Sequence, residues 1–372
     1  MRDELKAAIE ARKQEHLWYA RGDVEAHTSA GWSDIELVHQ AVPEVDLESI
    51  DLSTEFLGRT LKAPIVLPGM TGGHSDAIEI NVNLARAAER YGLAMGVGSQ
   101  RAALRAPALA DTYAVARDEA PNAFLMANIG AAQLIQQGEE EPVSESDVDE
   151  LISMIDADAL AVHFNWLEEL VQPEGNRNAV GCIDALAHIV EYLGERTPVI
   201  AKETGAGISS EAAGQLVAAG VAALDVGGKG GTSFAAVEGQ RAAAHGDSLR
   251  AKLGQVYRDW GLPTPVSVIA ALSTGVPIIA TGGIRSGLDA AKALALGASL
   301  VGVARPMLQA AIKGESALAA VIETYLTELT TGMFLTGSAT VPDLRSSPRA
   351  VLGTTAQRLQ ALGLPTDMAG PR

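Results

Sequence analysis

The chain has 372 residues, 47% of them apolar, and a formal net charge of −18, which suits one large domain or two small ones. This acidity excludes nucleic acid and anionic membrane surfaces as partners, and any anionic ligand must find a local basic pocket. The single cysteine, Cys182, rules out an intramolecular disulfide and a cysteine-based metal site. No apolar run is long enough to span a bilayer and the charged N-terminus lacks a signal-peptide core, so a cytoplasmic location is expected.

In chain order, residues 1–19 read as a helix charged on most faces and carrying Arg12, Lys13 and His16. Two cations on a terminal helix are ordinarily surface, although this spacing sets them near one face. A polar stretch runs to about Asp34, followed by a short strand and a connector through Leu61. The pattern then becomes regular. Ile65–Pro68 leads to Gly69-Met-Thr-Gly-Gly-His74, with a helix near 80–91, and Leu93–Val97 leads to Gly98-Ser-Gln-Arg101. Phe124–Ala127, Ala159–Val162 and Val199–Ala201 lead to Asn128-Ile-Gly130, His163-Phe-Asn165 and Lys202-Glu-Thr-Gly205. Ala222–Val226 leads to Gly227-Gly-Lys-Gly-Gly-Thr232, and two apolar runs follow, Val276–Ala280 and one ending at Ala304-Arg305.

Short strands, apolar on both faces and each followed by a helix, are buried parallel strands. No Gly-x-Gly-x-x-Gly follows the first of them, and polar residues recur after nearly every strand rather than at one switch point. The chain is therefore an α/β protein, a (β/α)₈ TIM barrel with an N-terminal helical extension. Residues 1–60 form the extension that contributes to the site, 61–345 the barrel and 346–372 a polar C-terminal tail. Residues 133–150 include an acidic surface loop before a helix, and read as solvation.

The barrel mouth is where chemistry is expected. Gly282-Gly283 and the 227–232 loop let backbone N–H groups approach a phosphate, with Arg285 and Arg305 as charge. Lys202 either pairs with an interior carboxylate or donates to an electron-rich flavin edge. His163-Phe-Asn-Trp-Leu-Glu-Glu169 is the expected chemical centre, because His163 and Asn165 share one face of a strand and two carboxylates follow. Glu168 and Glu169 can hold Mg²⁺, divide acid and base roles, or line a solvated loop.

Several motifs taken together resemble the type 2, flavin-dependent isopentenyl diphosphate isomerases. They are Arg12-Lys-Gln-Glu-His16, Met70-Thr-Gly-Gly73, Gly98-Ser-Gln-Arg101, Asn128-Ile-Gly130, His163-Phe-Asn165, Gln172-Pro-Glu-Gly175, Lys202–Ser209, Gly230-Gly-Thr-Ser233 and Gly282-Gly-Ile-Arg285. The resemblance covers about residues 12 to 340 in the family's order. It implies an FMN barrel that interconverts isopentenyl and dimethylallyl diphosphate, with FMN phosphate at Gly282, Gly283, Arg285, Ala304 and Arg305. Met70, Thr71, Gly72, Ser99, Asn128, Lys202 and Thr232 are implied to hold the rest of the flavin. Arg12, Lys13, His16, Ser99, Gln100, Arg101, His163, Asn165 and Glu168 are implied to bind the prenyl diphosphate, with Glu168 and His163 catalytic and Glu169 the Mg²⁺ ligand. NADPH is implied as the initial reductant, and a homo-oligomer, tetramer or larger, as the assembly.

This sequence departs from the family pattern at three positions. Glu168 stands where the family motif His-x-Asn-x-x-Gln-Glu has glutamine, Phe234 where tryptophan is usual, and Asn176 where aspartate is usual. Glu168 and Phe234 favour a paralogue acting on another prenyl diphosphate as one alternative; a non-catalytic FMN-binding protein is the other. An inosinate dehydrogenase-type barrel is disfavoured because Cys182 lies at a helix start, and a hydroxy-acid oxidase because no histidine follows His245.

Overall fold

The structure is a computed structural model that describes residues 2–367. Outside the barrel lie β1 (Ile35–Leu37), β2 (Thr54–Phe56) and β3 (Arg59–Leu61). Then come β4 (Ile65–Leu67), β5 (Ala94–Gly96), β6 (Phe124–Gly130), β7 (Ala159–Phe164), β8 (Val199–Glu203), β9 (Ala223–Asp225), β10 (Ile278–Thr281) and β11 (Leu300–Gly302). These eight, β4 to β11, pair in parallel as a closed barrel. The last strand, β12 (Arg349–Val351), pairs antiparallel with β1. All eight expected barrel strands form, and closure settles barrel against open sheet.

Alternate residues of the short strands face inward, and Val66, Ala94, Phe124, Met126, Ala159, Ile200, Ala223, Ile279 and Leu300 fill the interior. The β2–β3 hairpin plugs the end away from the mouth. Its Phe56 meets Phe124 edge-on, with ring centroids 5.6 Å apart, a favourable aromatic geometry. Outside, small residues let helices sit close to one another: a side chain on Gly287 would lie 2.1 Å from the Tyr325 carbonyl. With one end plugged by apolar side chains, the polar strand ends are confined to the other.

The C-terminal stretch corrects the expectation of a polar tail. Residues 349–351 form β12, and a helix follows from Gly353 to Ala361 with Thr355 and Leu359 buried. Asp34 accepts hydrogen bonds from Thr355 N at 2.9 Å and Thr354 Oγ1 at 3.0 Å, which locks this segment to the N-terminal extension. The apolar face of that helix is only one turn long, too little for periodicity to show. Residues 368–372 of the expected tail lie outside the described residues. No helix among the described residues is long and apolar enough to cross a membrane.

Candidate active site

The strand ends open into one cavity of about 260 Å³ at the mouth, roofed by the N-terminal helix Arg2–Ala20. Arg12, Lys13 and His16 all line it, so the charged helix face is a ceiling and not a surface. What holds the helix there is Arg241, a residue the sequence reading missed. It binds Glu15 of the N-terminal helix at 2.8 Å, Glu174 of the Gln172–Gly175 turn at 2.7 Å and Glu238 at 3.2 Å. Among the lining residues, burial and the adjacent Arg12 guanidinium push Lys13 down to about 8.

Strand register sets the floor. His163 pairs with Lys202 across β7–β8, and Lys202 with Asp225 across β8–β9. Lys202 Nζ lies 3.7 Å from Asp225 Oδ2 and donates to the Glu203 carbonyl at 2.9 Å, so it has an interior carboxylate partner while still lining the cavity. Asn128 Nδ2 donates to Val97 O at 2.9 Å, which fixes its amide and leaves Oδ1 to accept from His163 Nδ1 at 2.8 Å. That assigns His163 the tautomer with a free Nε2. Burial, with the Lys202 charge second, drives its pKa to about 3, so the ring is neutral.

Beyond β7, the helix Trp166–Val171 carries both glutamates. Asn165 Nδ2 donates to Glu168 Oε2 at 3.0 Å and to Glu169 Oε1 at 3.3 Å, and Asn176 N donates to Glu169 Oε2 at 2.6 Å. The turn can fold back this far because residue 175 is glycine: a Cβ there would lie 1.8 Å from the Glu169 carbonyl. Glu168 lines the cavity. Burial first, and then the nearby Glu238 carboxylate, raise its pKa. Glu238, fully buried on the helix Phe234–Ala244, was also missed. Its only sequence signal was a lone acid within an alanine-rich helical segment.

The opposite side is a cradle of glycine backbone. Trp32 Nε1 and Thr264 Oγ1 both donate to the Gly282 carbonyl, at 3.2 and 2.9 Å. A trans peptide then turns the Gly283 N–H the other way, past Gly231. A Cβ on Gly231 would lie 2.8 Å from that nitrogen, and one on Gly283 2.4 Å from the Ala30 Cβ. These positions leave room only for backbone, as close approach of an anion requires. Arg285 and Arg305 line the cavity too, but Glu25 already takes them, at 2.7 and 2.9 Å. The Arg305 Nε remains buried without a partner, as do the Nε atoms of Arg12 and Arg101.

Met70, Thr71, Ser99, Arg101, Asn165, Thr232, Ala304 and the departing residue Phe234 also line the cavity. Two expected contacts do not, nor does the nearby His74. Gln100 is fully buried, accepting from Asn128 N and donating to the Leu151 carbonyl, both at 2.9 Å, so it pins loops together behind the mouth. Gly72 lies against Tyr113, whose ring a Cβ would meet at 2.0 Å. His74 is buried behind Thr71, 3.0 Å from its Oγ1. The acidic stretch before the helix Glu145–Met154 is likewise more than solvation, because Glu140 binds Arg101 Nη2 at 2.6 Å and also pairs with Arg105.

The cavity has the means to hold the two groups that the family resemblance implies. Glycine cradles that a Cβ would fill and an orphaned arginine nitrogen suit a flavin phosphate. Glu169 is a buried carboxylate beside cations that suit a diphosphate, and Mg²⁺ is commonly bound by one or two carboxylates plus substrate phosphates.

Fold and site together define a (β/α)₈ barrel with a glycine-lined, cation-bearing mouth, and residues 207–350 match the family described as FMN-dependent dehydrogenase. By fold the chain is similar to a mandelate oxidase (TM-score 0.58, 19% identity, 94% of this chain and 99% of that one). It is likewise similar to a lactate oxidase of Pediococcus acidilactici (TM-score 0.63, 17% identity, 95% and 94%). In sequence it is 49% identical over 357 residues to the isopentenyl-diphosphate delta-isomerase of Methanoregula boonei, covering 95% of this chain and 97% of that protein. It is 45% identical over 354 residues to that of Halobacterium salinarum, covering 94% and 96%. The chain belongs to the isopentenyl-diphosphate delta-isomerase family.

Proposed function

We propose that the protein is an FMN- and Mg²⁺-dependent isomerase that interconverts isopentenyl and dimethylallyl diphosphate after initial reduction by NADPH. The observation that carries this is the pairing of two anion poles in one cavity. The glycine cradle at Gly231 and Gly283 is one, and the cluster of Arg12, Lys13 and Arg101 is the other. One pole suits the cofactor phosphate and the other a substrate diphosphate, with Glu169 offering its carboxylate to Mg²⁺ between protein and phosphate.

Reduced FMN, when bound, supplies an electron-rich ring that stabilises positive charge developing on the hydrocarbon. Lys202, seated against Asp225, faces the floor where that ring would lie. The N-terminal helix excludes water from above, which strengthens each charge interaction inside. Glu168 is the proton-handling group. Asn165 occupies its Oε2, so the proton is held and moved at Oε1, and burial keeps the neutral acid accessible near neutral pH. Glu168 in its neutral form offers a hydroxyl donor and a carbonyl acceptor, much as the family's glutamine offers an amide.

The test is anaerobic turnover of isopentenyl diphosphate with FMN, Mg²⁺ and NADPH, followed by NMR in D₂O. Dimethylallyl diphosphate carrying solvent deuterium supports the isomerase, and Glu168→Gln should then hold or raise activity. Absence of conversion with FMN bound and reducible would favour a different prenyl diphosphate, for which Glu168 and Phe234 in the cavity wall are the features to follow.

A further inference from the structure

Three ligand-bearing atoms, one each from His16, Glu168 and Glu238, lie within 4.8 Å of one another. They come from three separate elements: the N-terminal helix, the helix Trp166–Val171 and the helix Phe234–Ala244. His16 Nε2 and Glu238 Oε1 approach to 2.7 Å, yet neither atom has a hydrogen-bond partner and both are buried. The contact is short but misaligned for a proton between them. A carboxylate oxygen buried without a donor is costly. Two ligands about 2.0–2.1 Å from one tetrahedral zinc ion lie about 3.3 Å apart, so the pair need separate only slightly to admit an ion.

We propose that His16, Glu168 and Glu238 form a binding site for a transition-metal dication of the zinc type, which staples the N-terminal helix over the mouth. One imidazole and two carboxylates with a fourth position open to the cavity form a zinc-like donor set, whereas magnesium prefers oxygen ligands alone. The outer partners are in place. Arg241 Nη1 holds Glu238 Oε2 at 3.2 Å, and Asn165 Nδ2 holds Glu168 Oε2 at 3.0 Å. Such contacts aim the remaining oxygens and tune the ion. Lys13 and Arg241 are the cations that oppose binding, and the two ligating carboxylates and neighbouring Glu169 offset them.

The site is separate from the position suited to Mg²⁺. The three-atom group does not include Glu169, the carboxylate suited to Mg²⁺. It also belongs to this chain rather than to the family pattern, because a glutamine at position 168 would remove the carboxylate ligand. Since His16 and Glu168 line the substrate cavity, the bound ion and the substrate exclude each other. The proposal itself does not depend on which substrate that is.

The test is calorimetric titration of the untagged, chelator-treated, FMN-loaded protein with Zn²⁺, paralleled by Co²⁺ absorption. The expected result is one saturable site of micromolar affinity with a tetrahedral Co²⁺ spectrum. Glu168→Gln, His16→Gln and Glu238→Gln are each expected to weaken it at least tenfold, and Glu169→Gln, which removes a neighbouring charge but no ligand, to weaken it markedly less. Should the buried Glu238 variant not fold, the two cavity-lining variants decide. Zinc should also slow tryptic cleavage at Arg12 and Lys13. Absence of saturable binding, or affinity indifferent to both Glu168→Gln and His16→Gln, would overturn the site while leaving the isomerase reading intact.

Discussion

Asn128 Oδ1 lies 2.8 Å from His163 Nδ1, and because Val97 fixes the other end of the amide, one side chain decides which histidine nitrogen faces the cavity. Burial first, and then the Lys202 charge, should keep His163 neutral from pH 5 to 8 in the free protein, its pKa near 3. A bound diphosphate offers the imidazolium a partner and should raise that pKa. Imidazole ¹⁵N shifts measured with and without inorganic diphosphate check both halves, and a free-protein pKa above about 6 would contradict the assignment.

Lys13 should give substrate binding an alkaline limb. Burial and Arg12 disfavour its ammonium form, setting the pKa near 8. Below that value the side chain is cationic and attracts the diphosphate; above it the charge is lost and KM should rise. Lys13→Gln should raise KM by about tenfold or more, as loss of a charge-assisted bond worth roughly 1.5–3 kcal/mol implies, and should flatten the limb in a plot of log KM against pH.

Arg241 predicts acid sensitivity of the roof. Burial opposes ionisation of Glu174, but its bond to Arg241 wins and holds the pKa near 2. Its folded pKa is depressed, so this contribution is complete above about pH 4.5 and is lost as pH falls towards 2. Arg241→Gln removes the partner of buried Glu238 and should cost about 3 kcal/mol. It should also expose the N-terminal helix to protease, read by thermal melts and limited proteolysis across pH 3 to 7.

Gly283→Ala should abolish flavin binding without unfolding the barrel. Its backbone is at φ +62°, and the new methyl group would meet Ala30 and the Gly230 carbonyl at 2.4 and 2.7 Å. A protein with an unchanged far-ultraviolet spectrum that elutes without yellow colour is the expected outcome.

At the opposite end, Phe56→Ala should destabilise the protein by about 3–5 kcal/mol while leaving KM unchanged. Phe56 seals the barrel floor against Phe124, remote from the mouth. Denaturant melts beside steady-state kinetics separate the two effects.

Much of this architecture was legible because buried parallel strands carry an unambiguous signature. Ile65–Leu67 or Ala159–Val162 can hardly be anything else, and the residues that follow them must ring the mouth. Side-chain direction beyond the strand was not legible. Gln100 and Arg101 are neighbours in sequence, yet one turns inward to tie loops and the other lines the cavity. Nor could the charged pattern of Arg12, Lys13 and His16 show what covers it, because the covering groups, Glu238 and Arg241, lie more than two hundred residues away. Glu140 was hidden for the same reason: an acidic loop looks alike whether it meets water or Arg101.

The pairing of Ile35 with Val351 has a consequence for synthesis. The extension that roofs the mouth is made first, but the strand that anchors its base emerges after every barrel strand. Trp32 and Glu25 likewise wait for Gly282, Arg285 and Arg305. Such contacts between distant parts of a chain form late and slowly. On the ribosome, then, the barrel can close before the base of its roof is secured, and a nascent chain stopped short of residue 349 would hold the roofing helix through Arg241 while Ile35–Leu37 still lacked its partner strand.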